Sequence, residues 1–109
     1  MTDFYRMRGG GRAHGIYATW PFAVVSVSAD QIEFKFLFST WVIPSERLTS
    51  LRRIRVLFSK GIAFEHNDPS IPPSPAFFPV PGNRGAFEEA LRHFGFELVG
   101  TYEWPGRAF

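Results

Sequence analysis

Residues 18–36 read ATWPFAVVSVSADQIEFKF, and the alternation of their side chains decides the fold class. Val25 and Val27 fall on one side of an extended chain and Ser26 and Ser28 on the other, the period-two pattern of a strand with one dry and one wet face. Ala29 and Asp30 turn the chain. Ile32, Phe34, Phe36 and Phe38 then share the next apolar face, opposed by Gln31, Glu33, Lys35 and Leu37, so the two segments form a β-hairpin.

Working outward, Ile16 and Ala18 alternate with Gly15, Tyr17 and Thr19 until Pro21 is expected to interrupt a first strand, because proline cannot donate to a ladder. Gly9, Gly10 and Gly11 have no side chains to pack and maximal entropy to lose, so residues 1–12 are expected to form a flexible N-terminal tail. Trp41 to Ile43 gives a short strand ending at Pro44. Leu51 to Phe58 resumes alternation, with Ile54, Val56 and Phe58 facing one way and Arg53, Arg55 and Leu57 the other. Ser59 to Gly61 turns the chain into Ile62 to Glu65, a second hairpin.

Asn67 to Pro75 (NDPSIPPSP) has too many prolines for a central strand and reads as a stiff surface loop. Its PxxP spacing at Pro69/Pro72 and Pro72/Pro75 would also suit a ligand of a polyproline-reading domain. Ala76 to Val80 offers another short strand. From Asn83 the period becomes helical, with Phe87, Ala90, Leu91 and Phe94 on one stripe and Glu88, Glu89, Arg92 and His93 facing away. Asn83 is the expected N-cap, and Gly95 the left-handed residue after the helix. Residues 97–102 can add an edge strand, and 104–109 form a C-terminal tail.

The chain has 109 residues, which makes one domain. Phenylalanine is the compositional outlier at thirteen copies, while charged residues make up 20% and the formal net charge is +2. So weak a global field leaves nucleic-acid or anionic-membrane binding dependent on local clustering. The absence of cysteine removes disulfides, thiolate nucleophiles and cysteine-ligated zinc, and fits a cytoplasmic location. The N-terminus lacks the apolar region of a secretion signal. The longest nearly uncharged apolar run, Phe36 to Pro44, falls far short of the about 20 residues a spanning helix needs.

Strands in hairpins followed by one amphipathic helix resemble the pleckstrin-homology superfold. TWPFAVVSVSADQIEF (residues 19–34) is similar to the opening of small bacterial PH-like and GRAM-like domains, WVIPSERLTSLRRI (41–54) to their central step, and FEEALRHFGF (87–96) to their closing helix. The resemblance covers roughly residues 13–98 and implies a PH-like domain over 13–103. It is a mainly β fold, a barrel of two nearly orthogonal antiparallel sheets capped by one C-terminal α-helix. Such domains bind phosphoinositides, peptides or proteins, so the resemblance implies a binding or scaffold module and no particular ligand. Lipid-binding members carry Lys and Arg on the first hairpin; Thr19, Trp20, Pro21 and Phe22 contain no base. A protein partner is therefore favoured, with a peripheral lipid or anionic membrane as the alternative.

Two groups of residues are candidates for that partner surface. Arg47, Arg52, Arg53 and Arg55 form the densest basic cluster, and Arg53 and Arg55 should leave one outer strand face together. Such a face can meet an acidic protein or phosphates, and it equally serves as a solvated strand face that discourages edge pairing. Trp20 and Phe22, around Pro21, either cap an open barrel end or anchor a partner.

Catalytic chemistry finds little footing. Glu65, His66 and Asp68 lack the spacing of zinc or EF-hand sites, His14 and His93 have no evident partners, and no G-x-S-x-G motif or phosphate loop occurs. No cofactor or metal is expected. An enzyme of unknown chemistry, assembled from distant positions, is the third reading.

Overall fold

A computed structural model describes residues 4–56 and 59–102. The fold is mainly β, with strands β1 (Tyr5–Ala13), β2 (Ile16–Val27), β3 (Gln31–Phe36), β4 (Ser39–Pro44), β5 (Leu48–Val56), β6 (Ser59–His66), β7 (Ala76–Phe78) and β8 (Leu98–Val99). One helix, α1 (Arg84–His93), stands between β7 and β8. The strands make a single curled sheet of eight in the order β4-β3-β2-β1-β7-β6-β5-β8. β1 to β4 form one antiparallel meander and β5 to β7 another. Antiparallel pairing of Gly10, Gly11 and Arg12 with Phe78, Phe77 and Ala76 joins them.

Both expected hairpins form. Val25 pairs with Phe34 and Val27 with Ile32, placing these buried side chains on one face. The centre of the core is aromatic: the Phe34 ring lies 5.7 Å from Phe64 and 6.5 Å from Phe77, which in turn sits 5.1 Å from Phe87 of α1. Edge-to-face contacts at these separations add to the burial of each ring. Phe87, Ala90 and Leu91 are the buried stripe of α1. Gly95 takes φ +89° just past the helix, and the Phe96 N–H donates to the Leu91 carbonyl at 2.9 Å, closing the last turn as expected. Phe94 follows the last helical residue and is only half-buried, so it is not the core plug its spacing suggests. Asn83 precedes α1 without a side-chain cap hydrogen bond.

The glycine-rich N-terminus is not a tail. Residues 5–13 are β1, a central strand paired on both sides. A Cβ at Gly9 would meet the Phe78 carbonyl oxygen at 2.5 Å and the Phe77 ring at 2.8 Å, and one at Gly11 would meet the Phe34 ring at 2.9 Å. Glycine is required because the neighbouring strand and the large core rings approach too closely for any side chain. Residues 104–109, expected as a C-terminal tail, lie outside the described residues, as do Leu57 and Phe58.

Pro21 does not end a strand either; β2 runs through it. The register with β1 passes from Gly9↔Ala23 to Gly11↔Ala18, so Thr19, Trp20, Pro21 and Phe22 are extruded opposite Gly10 alone. Such a bulge absorbs a residue that cannot donate to the ladder and bends the strand locally. At the far end of the hairpin, β3 stops at Phe36. Leu37 takes φ +54° in the turn, and Phe38 is fully exposed instead of joining the core face.

The proline-rich loop is pinned down. Ile71, Pro72 and Pro75 are buried, and the Phe64 N–H donates to the Pro75 carbonyl at 2.8 Å. Pro69 is exposed, but burial of Pro72 and Pro75 leaves neither PxxP pair with both prolines at the surface. β8, as expected, adds an edge, pairing parallel with β5 at Leu51↔Leu98 and Arg52↔Val99.

Candidate functional site

The bulge and the β3–β4 turn meet at one end of the sheet. The Leu37 N–H donates to the Phe22 carbonyl at 3.0 Å, which ties the turn that carries Leu37 and Phe38 to the Phe22 end of the bulge. Arg8 Nη1 holds the bulge from the other side by donating to the Pro21 carbonyl at 3.0 Å. Trp20 is 59% exposed, Phe22 58%, and Phe38 has no cover at all. Isolated exposed apolar side chains are ordinary, but several large ones on neighbouring segments make this end a candidate contact surface.

Trp20 is also a wall of a groove of about 740 Å³. Its apolar lining includes Tyr17, Trp20, Val56, Phe78 and Pro79. The floor passes over Gly10, where a Cβ would strike the Ala18 carbonyl at 2.7 Å. Phe78 points away from the main core: adjacent residues on a strand alternate, and Phe77 belongs to the core while Phe78 joins a second cluster with Ile54, Val56, Ala63 and Ala76. Arg12, opposite Ala76 in the β1–β7 register, lies on this same face with its guanidinium 5.5 Å from the centre of the Tyr17 ring.

Lys60 and Arg84 are the charged residues that line the groove among the described residues. Both lie against the ring of Tyr102, at 5.9 Å and 5.3 Å from its centre. Burial, followed by the hydrogen bond its hydroxyl donates to Glu88, pushes the Tyr102 phenol well above its ordinary range. The ring is thus a neutral platform under two cations.

The arginines singled out in the sequence are dispersed. Arg53 lies on the face of β5 that meets α1, where Nη2 donates to Glu88 Oε1 at 2.9 Å and Nη1 to the Gly100 carbonyl at 3.0 Å. Its neighbour Arg52 points the other way and pairs with Glu65 at 3.3 Å. Arg55 is exposed and stands opposite Lys60 in the β5–β6 register. Arg47 ends a 3-10 turn (Ser45–Arg47), where its carbonyl accepts the Asn67 N–H at 3.1 Å. The expected pair of Arg53 and Arg55 on a free outer face is therefore corrected: Arg53 is committed to the helix.

Glu88 anchors that junction and does not face away from the fold. Its side chain is only 13% exposed and receives Arg53, the i+4 residue Arg92 at 3.2 Å, and the Tyr102 hydroxyl. Burial opposes ionisation of Glu88, yet the hydrogen bonds from Arg53 and Tyr102, with the charges of Arg53 and Arg92, outweigh it and hold the carboxyl below its usual range.

His66 and Asp68 are absorbed by their loop. His66 Nδ1 accepts the Asp68 N–H at 3.0 Å while Nε2 faces the Pro72 carbonyl at 2.8 Å, so Nε2 carries the proton. Asp68 Oδ1 accepts both the N–H and the hydroxyl of Ser70, which lowers its carboxyl below the usual value. His14 stands edge-on to Trp41 at 6.0 Å, and His93 to Phe94 at 4.9 Å. No cluster of three metal-ligating side chains occurs among the described residues, and none of their helices is long and apolar enough to cross a membrane.

The sequence pointed to Trp20 and Phe22; the structure sets Trp20 on the groove and Phe22 against the turn of Leu37 and Phe38. Leu37 and Phe38 escaped notice because period-two alternation continues through them. Lys60 and Arg84 carried no signal, being separated in sequence and joined only through Tyr102. Comparisons of the chain with protein-family models, with curated proteins and with solved structures found no match.

Proposed function

We propose that the chain is a non-enzymatic, cytoplasmic binding module of PH-like fold that engages a protein partner through its aromatic end. The PH-like reading is supported by the joining of two antiparallel meanders through β1 and β7, with Phe87 and Leu91 of the late helix packed into the core. The observation that carries the function is the exposure of Trp20 and Phe22 on the β2 bulge and of Leu37 and Phe38 on the turn bonded to it. Exposed aromatics on a rigid frame supply large contact area with little entropy left to lose on binding, the character of interface hot spots.

Selection of a random-sequence peptide display library on the purified protein tests this reading. Wild type should enrich a recurrent apolar motif, and a Trp20→Ser/Phe38→Ser variant of unchanged circular dichroism should not retain it. Failure to enrich any motif, with sedimentation of the protein on vesicles of anionic phospholipid, would replace the protein partner by a membrane.

A further inference from the structure

We infer that the groove beside the aromatic end takes a partner segment in which an apolar anchor is flanked by carboxylate side chains, the anchor resting between Trp20 and Phe78 and the carboxylates meeting Lys60 and Arg84. This rests on the protein-binding reading above and specifies the chemistry of its ligand.

Charge complementarity is the ground for the choice. The described lining residues contain two cations and no acid. Lys60 comes from the start of β6 and Arg84 from the first residue of α1, so distant parts of the chain deliver like charges to one rim. Their repulsion is tolerated because each lies against the Tyr102 ring, an attraction that leaves the outer hydrogen-bond donors of an ammonium or guanidinium open to a ligand. Arg55, opposite Lys60 in the β-ladder, adds a third positive charge nearby.

The remaining lining sets what accompanies the carboxylates. Tyr17, Trp20, Val56, Phe78 and Pro79 offer rings and methyl groups, and the groove's 740 Å³ falls within the range of sites that hold a few side chains or a small molecule. A wholly polar acidic segment would leave this surface wet. A basic or neutral segment would leave the two cations to be desolvated without compensation.

Matched synthetic peptide pools distinguish the outcomes. The pools share one apolar composition and differ in carrying aspartate and glutamate, or lysine, at flanking positions. Wild type should retain the acidic pool, and raising the salt from low to high concentration should weaken that retention. Lys60→Gln/Arg84→Gln should weaken it roughly 2- to 30-fold, the range expected for losing two rim charge pairs. Lys60→Glu/Arg84→Glu should reverse the preference toward the lysine pool. Melting temperatures of each variant check that the Tyr102 platform survives, and the glutamine pair keeps the test open if the glutamate pair unfolds. Equal retention of both pools, abolished by Trp20→Ser/Phe38→Ser, would overturn the carboxylate assignment and leave the aromatic end standing. Retention of neither pool would bring down the protein-binding reading itself. Retention of simple aromatic carboxylates as tightly as the acidic pool would overturn the peptide assignment in favour of a small-molecule site.

Discussion

Replacement of Gly9 by alanine isolates the interaction on which the sheet depends. The added methyl group would lie 2.5 Å from the Phe78 carbonyl oxygen and 2.8 Å from a ring carbon of Phe77, against about 3.5–4.0 Å for a comfortable contact of carbon atoms. Neither neighbour can yield cheaply. The carbonyl belongs to the backbone of the adjacent strand, and Phe77 is wedged between Phe34 and Phe87. Overpacking of this kind costs about 1–3 kcal/mol, and a backbone obstruction places Gly9→Ala at the upper end, about 3 kcal/mol. At about 4–8 °C per kcal/mol for a domain near this size, the midpoint of thermal unfolding should fall by about 12–24 °C. Gly85→Ala is the internal control. It lies in α1 with nothing within 4 Å of an added Cβ, so it should gain about 0.4–1 kcal/mol by restricting the unfolded chain and improving helix propensity. Melting followed by far-ultraviolet circular dichroism, with urea titration at 25 °C, measures both. A Gly9→Ala protein that melts with wild type would mean that residues 5–13 are not held between β2 and β7, and the argument from close approach would fall.

Two further substitutions probe the helix. Phe87→Ala should cost about 3–5 kcal/mol, because a fully buried ring in contact with Phe77 leaves a cavity, whereas half-buried Phe94→Ala should cost clearly less; equal losses in urea titration would mean a different helix orientation. Glu88→Gln should cost about 1.5–3 kcal/mol at neutral pH by weakening the bonds from Arg53 and Tyr102. Because Glu88 is held below its usual pKa, its contribution is complete above the ordinary carboxylate range and is lost as pH falls through the depressed value. Urea midpoints followed from neutral to acid pH should therefore fall less steeply for Glu88→Gln than for wild type; Asp68, depressed by Ser70, contributes to the remaining slope. Parallel acid limbs would refute the assignment.

What the sequence disclosed was local, and what it hid was not. Val25, Val27, Ile32, Phe34 and Phe36 announce a hairpin because alternation needs only neighbouring residues, and Phe87, Ala90 and Leu91 announce a helix for the same reason. Gly9 misleads because its cause lies in Phe77 and Phe78, far along the chain. Arg53 misleads similarly: alternation correctly separates it from Ile54, but only the tertiary fold brings Glu88 over its face of β5. Phe38 follows the apolar pattern faithfully and is nonetheless exposed, since the chain turns at Leu37 in a left-handed conformation without the usual glycine. Trp20 was legible because Pro21 must disturb a strand, and a disturbed strand shows its side chains.

The close approach that makes the fold also makes the site. β1 joins the two meanders by running against β7, and Gly9 and Gly11 let it do so from the core side. Gly10 faces the other way, with the Ala18 carbonyl almost upon it. With β2 drawn so near at Ala18 and paired again at Ala23, the intervening Thr19, Trp20, Pro21 and Phe22 have no partner strand but Gly10 and are pushed outward. The groove floor and its tryptophan wall are therefore consequences of one backbone approach, fixed by the frame and not by a mobile loop. That coupling explains how large aromatic side chains are held in water at a defined place.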